Sequence, residues 1–69
     1  MMLFSVGDRV TLTSGAHGTV VGVIERREFA RNLEAWRWTS LSGGLIILQD
    51  DGVFTHVREP AYDVHHEAS

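Results

Sequence analysis

Four of the six Arg of this chain, Arg26, Arg27, Arg31 and Arg37, lie close together and are interleaved with Phe29, Trp36 and Trp38. Cations and rings mixed in this way suit two kinds of partner. Guanidinium groups pair with phosphates while rings stack on bases, and Trp and Arg are also the residues that most often anchor protein–protein contacts. Charge separates the two readings. Glu25, Glu28 and Glu34 stand in the same stretch, so four Arg against three Glu leave it at +1, too little for a groove that tracks a phosphate backbone. Elsewhere, Arg9 and Arg58 face six carboxylates, which leaves the remainder at −4. An acidic body with a nearly neutral aromatic arm points to a protein partner or to self-association, with Phe29, Trp36, Arg37 and Trp38 as contact residues. Nucleic acid held by Arg26, Arg27 and Arg31 is the second reading, disfavoured by net charge.

Other chemistries find little to work with. His65 and His66 are adjacent, so on a strand they point to opposite faces and cannot grip one ion together. His56, Asp63 and His65 converge only if the last two strands pair, and a terminal His pair is more often simply solvated; no metal site is expected. The chain has no Cys and no Lys, and Ser5, Ser14, Ser40, Ser42 and Ser69 occupy turn or terminal contexts with no evident base beside them. Asp50 and Asp51 precede Gly52 and read as a turn rather than a carboxylate pair held across a cleft. Gly15 and Gly18 precede a strand instead of a helix, which removes the phosphate-cradle reading. The expectation is a non-enzyme with no catalytic residue and no cofactor.

The elements that must carry the arm are short strands. Arg9 to Thr13 alternates, with Val10 and Leu12 on one face. Ser14-Gly15-Ala16-His17-Gly18 makes a turn, and Thr19-Val20-Val21-Gly22-Val23-Ile24 follows as a strand rich in β-branched residues and apolar on both faces. Simple alternation directs Val20 and Ile24 one way and Val21 and Val23 the other, and Gly22 marks a bulge or bend. Leu45 to Gln49, the turn Asp50-Asp51-Gly52 and the return Val53 to Val57 form a second hairpin. Pro60 ends that ladder, and Ala61 to Val64 can close the sheet. Between the hairpins, residues 25–42 admit two readings. Good helix formers with Phe29, Leu33 and Trp36 at helical spacing favour a helix, although nothing caps its start. The alternative is a long hairpin turning near Arg31-Asn32, which puts Trp36 and Trp38 on one face. Phe29, Leu33 and Trp36 also suit a purely structural role, covering the outer apolar face of the Val21–Val23 and Leu45–Leu48 strands.

The whole chain has 69 residues, with 43% apolar residues, 22% charged residues and a net charge of −3. That is enough for one small globular domain. The predicted core is Val10, Leu12, Val20, Ile24, Ile47 and Phe54, the domain spans residues 1–64, and residues 65–69 form a frayed tail. No apolar run approaches the roughly 20 residues of a membrane span, and the N-terminus lacks the layout of an export signal, so a cytoplasmic protein with no membrane contact is expected.

The stretch Val6-Gly7-Asp8-Arg9-Val10-Thr11-Leu12-Thr13-Ser14-Gly15-Ala16-His17-Gly18-Thr19-Val20-Val21 resembles the opening hairpin of small SH3-like barrels, the group that includes KOW and Tudor-type modules. Asp50-Asp51-Gly52 and Pro60 resemble that group's distal hairpin and the turn before its closing strand. The resemblance implies a mainly β fold, a small SH3-like barrel of four to five strands, here with an inserted helical or hairpin arm at about residues 25–42. The Tudor side of it implies an aromatic cage, for which Trp36, Trp38 and Tyr62 are the candidates. The Gly-Asp-Arg-Val opening and Ser-Gly-Ala turn are also similar to those of the plasmid-borne type II dihydrofolate reductases. Their catalytic strand carries Val-Gln-Ile-Tyr, whereas Phe54-Thr55-His56-Val57 stands here, so the resemblance carries no catalytic residue across.

Overall fold

The computed structural model describes residues 3–31, 33–38 and 40–67 of the chain. It is mainly β, with six antiparallel strands: β1 (Arg9–Leu12), β2 (His17–Val23), β3 (Glu28–Phe29), β4 (Leu45–Gln49), β5 (Phe54–Val57) and β6 (Val64–His66). One helical turn, α1 (Pro60–Asp63), precedes β6. The sheet runs β5-β4-β2-β1-β6, and β3 pairs with β2 off that path. Four strands therefore come from the two expected hairpins, and the fifth returns to the far side of β1. The sixth, β3, belongs to the arm. Among the described residues, no helix is long and apolar enough to cross a membrane.

The centre of the sheet is β2, which pairs along one edge with β4 and along the other with β1 and then β3. Its register against β4 shifts between Val20, opposite Ile47, and Gly22, opposite Ile46. Val21 is the extra residue of a bulge, as the glycine foreshadowed. The bulge corrects the expected alternation. Val20 and Val23 share the inner cluster with Val10, Leu12, Leu45, Ile47, Val57 and Val64. Val21 and Ile24 instead join Ile46 in a second cluster on the opposite side. Two faces of one strand are thus both buried, and the outer one requires a cover.

The arm supplies it as a short hairpin followed by a 3-10 turn, in place of the long helix or the hairpin turning near Arg31-Asn32. Ile24–Arg26 is a 3-10 turn, closed by Arg27 in the left-handed region at φ 53° with its N–H donated to the Ile24 carbonyl. The chain then doubles straight back, so that Phe29 lies opposite Gly22 and Glu28 opposite Val23. After Ala30, whose N–H donates to the Val21 carbonyl at 2.7 Å, the strand gives way to a second 3-10 turn, Ala35–Trp38. Phe29, Ala30, Leu33, Trp38 and Leu41 pack on the outer cluster. A long helix is excluded by the left-handed residue at Arg27, and a long hairpin by the turn at Ala35–Trp38. The hairpin's expected turn falls in part on Asn32, outside the described residues.

Three further expectations are corrected. Phe54, assigned to the core, is 43% exposed. It lies opposite Leu48, on the outer side of the sheet, while Val57 of the same strand is the residue that turns inward. Ala61 to Asp63 form no strand, because Pro60 with its fixed φ starts a helical turn as readily as it ends a ladder. The closing strand begins at Val64 instead, and His65 and His66, placed in a frayed tail, pair with Thr11 and Val10. Ala68 and Ser69 lie outside the described residues.

Gly22 is where the arm touches the sheet. A methyl group added there would stand 3.1 Å from the Phe29 ring and 3.3 Å from the Ile46 side chain. Gly22→Val is therefore expected to destabilise the fold by about 1–3 kcal/mol through overpacking, measured by urea denaturation, with the Phe29 resonances showing the largest shifts. An unchanged midpoint would mean that the arm is not seated on this glycine.

Candidate functional site

The arm's second 3-10 turn separates its two tryptophans. Trp36 is 71% exposed, whereas Trp38 is half-buried against the outer cluster. The Trp38 ring meets Phe54 at 6.0 Å between centroids, tilted by 50°. Its indole Nε1 is buried with no hydrogen-bond partner among the described residues. Arg37 holds its guanidinium carbon 5.6 Å from the Trp36 ring centre and pairs with Glu34 through Nε at 3.2 Å. A cation over the face of an indole is an attractive arrangement that also stiffens both side chains. Leu33, Glu34, Arg37, Trp38 and Phe54 together line a depression of about 80 Å3. It is far smaller than the roughly 300 Å3 at which ligand pockets begin. The arrangement suits surface contact rather than capture of a small molecule.

The expected contact residues are thus brought to one region but given different roles. Trp36 and Arg37 face outward, while Phe29 and Trp38 fill the outer cluster and support them. Phe54, on the outer side of the sheet and not in the core, completes the support from β5. Its position was visible only as alternation with Val53, Thr55 and Val57, and that alternation leaves the choice of buried face open. Tyr62 does not join an aromatic cage, since it lines a groove beside α1 while Trp38 lines the depression with Phe54.

Compared with protein-family models, curated proteins and solved structures, the chain matches none.

Of the three Arg of the nucleic-acid reading, one is engaged within the fold and two are exposed. Arg26 donates from Nε to Glu28 at 2.9 Å and from Nη2 to the Phe4 carbonyl at 2.8 Å, which ties it to the fold. Arg27 and Arg31 are exposed. Two of the four arm cations, Arg26 and Arg37, therefore already face carboxylates.

A second polar group lies across β1, β2 and β6. Arg9 donates to both Asp50 carboxylate oxygens at 2.7 Å, and reaches Glu67 at 3.4 Å. Glu67 also lies 3.2 Å from His17 Nδ1, and His66 Nε2 lies 3.0 Å from Asp8. The Phe4 ring stacks on His66 at 4.4 Å. His56 is elsewhere, donating from Nε2 to the Gly43 carbonyl at 2.8 Å. The histidines are thus distributed over separate contacts, and among the described residues no group of three or more His, Asp or Glu is placed to hold a metal ion. The two aspartates are held below the ordinary carboxylate range. For Asp8 the leading cause is the N–H of Ser5, followed by His66 and Arg26. For Asp50 it is the Arg9 hydrogen bond, which in turn raises Arg9.

Trp38→Ala should cost about 3 kcal/mol, the lower end of the range for losing a packed aromatic, while Trp36→Ala should change stability by less than about 1 kcal/mol; thermal denaturation of both variants checks the contrast. Because both aspartates have lowered folded-state values, the stability they supply is complete above their ordinary value of 3.8 and is lost as pH falls through the lowered values. Melting temperature should hold steady from neutral pH to about 4 and then fall, with a shallower acid limb in Asp8→Asn.

Proposed function

We propose that this chain is a non-catalytic binding or assembly module of the SH3-like kind, which makes a protein–protein contact or associates with itself through its arm. The order of the sheet supports the architectural half of this reading. Two hairpins in succession, then a helical turn and a closing strand laid on β1, agree with what the opening-hairpin resemblance implies. The functional half rests on one observation: Trp36 is 71% exposed, with Arg37 poised over its ring. A large rigid ring on a buttressed base loses little conformational freedom on docking, which is why Trp and Arg dominate interface energetics. The 3-10 turn beneath it is anchored by Trp38 on a buried cluster, so the contact is presented on a fixed platform.

Phosphate binding fits this surface less well. With Arg26 tied to Glu28 and the Phe4 carbonyl, and Arg37 tied to Glu34, the arm offers no continuous cationic track.

Light scattering across a range of concentration and salt gives the oligomeric state, and Trp36→Ala tests the surface. If the wild type self-associates, this variant should weaken association by roughly 30-fold or more, as expected for an interface anchor. If the wild type is monomeric, a protein captured by it should be lost from Trp36→Ala and kept by Val53→Ala, a neighbouring exposed apolar residue. Equal retention by Trp36→Ala would sink the reading, as would oligonucleotide affinity that falls steeply with salt.

A further inference from the structure

The free edge of β5 lies along a groove of about 900 Å3 that no residue of the arm lines. The main-chain directions on that edge follow from the hairpin. Gln49 N–H donates to the Val53 carbonyl at 2.9 Å, which makes Gln49 and Val53 a hydrogen-bonded pair. In an antiparallel ladder such pairs alternate with non-bonded ones. Thr55, opposite Ile47, and Val57, opposite Leu45, therefore bond to β4, whereas Phe54 and His56 turn their N–H and carbonyl groups outward. Those outward groups face away from the sheet on its terminal strand.

Edge strands in folded proteins are commonly blunted by Lys, by Pro or by a bulge. None of these protects β5: Phe54-Thr55-His56-Val57 contains neither residue, and its register with β4 is unbroken. The opposite edge differs, since β6 has three residues, its His65 and His66 are exposed and Glu67 follows. Across the groove from β5 stand the end of β1 and the helical turn α1, which contribute Tyr62, 74% exposed, and the carboxylates of Glu59 and Asp63. Neither carboxylate enters an ion pair among the described residues, and Arg58 is the single cation lining the groove. The lining is net negative, so it complements a cation.

We propose that the β5 edge is a strand-addition site for an extended peptide segment of another protein, one that carries a basic side chain. The main-chain groups of Phe54 and His56 supply the ladder, as edge strands do when they accept a partner strand. Glu59 and Asp63 select the charge, and Tyr62 offers a face against which the basic residue's aliphatic stem can lie.

Amide hydrogen exchange followed by NMR tests this directly, because it reads the two groups concerned. In the free protein the amide protons of Phe54 and His56 should exchange at least about tenfold faster than those of Thr55 and Val57. A short capped peptide of alternating Val and Thr with a central Lys should slow Phe54 and His56 selectively. The same peptide with Glu in place of Lys should bind more weakly, and Glu59→Gln combined with Asp63→Asn should weaken the Lys peptide by about threefold. The proposal is overturned if the Lys peptide leaves both amides unprotected at millimolar concentration, or if the Lys and Glu peptides protect them equally. Protection that rises with protein concentration in the absence of peptide would make the occupant a second copy and overturn it as well. Trp36→Ala should leave all of these results unchanged.

Discussion

The bulge at Val21 and Gly22 is the constraint on which the rest of the molecule depends. A short chain has little apolar area to bury, and a sheet with one covered face leaves much of it in water. By placing Val21 and Gly22 together opposite Ile46, the bulge lets β2 direct Val20 and Val23 into the inner cluster and Val21 into the outer one. The outer cluster then requires a lid, and the nearest chain is the segment leaving β2 itself. Gly22 provides the space: with no side chain there, the Phe29 ring closes directly over Ile46. The arm is thus a structural necessity first, and the display of Trp36 depends on its being fixed in place.

Legibility in the sequence divides along physical lines. Where one pattern had one solution, it could be read. Val10 and Leu12 alternate with polar neighbours, and both are buried; Asp50-Asp51-Gly52 joins two apolar runs, and the hairpin forms there. Where a pattern had two solutions of similar local energy, tertiary packing chose. Phe54 and Val57 lie on opposite faces of β5, and the inner face took Val57, because Thr55 shares that side and Phe54 can reach Trp38 on the other. Pro60 is compatible with both a stop and a helical start. Its local neighbours, Ala61 to Asp63, carried no signal that decided between them. The arm was least legible, since residues 25–38 have good helix propensity and lose it to a left-handed residue at Arg27 that no propensity scale would place there.

Charge is organised differently from what composition suggests. With two of the four arm cations paired to carboxylates, and with Arg9 between Asp50 and Glu67, much of the positive charge is engaged within the fold. Arg9, His17 and His66 each link strands or turns distant in sequence, fastening β6 and the β4–β5 turn onto β1 and β2. Surface pairs of this sort contribute little individually. Their value here is positional: Glu67 and His66 hold the last strand in register with β1, and β1 in turn covers one side of the inner cluster.

The separation of Trp36 from Trp38 follows from local geometry. On an extended strand, residues two apart share a face, and both rings would be buried or both displayed. On a helix with three residues per turn, residues two apart diverge by about 120°, so one ring can enter the outer cluster while the other leaves it. The observed exposures follow that geometry. Burial of Trp38 fixes the turn, and a fixed turn holds Arg37 beside the Trp36 ring instead of leaving two long side chains to sample many rotamers. The same residue types on a flexible loop would lose that ordering entropy on binding. Here much of it is lost on folding, and the rigidity this leaves to an exposed tryptophan is what the proposed contact rests on.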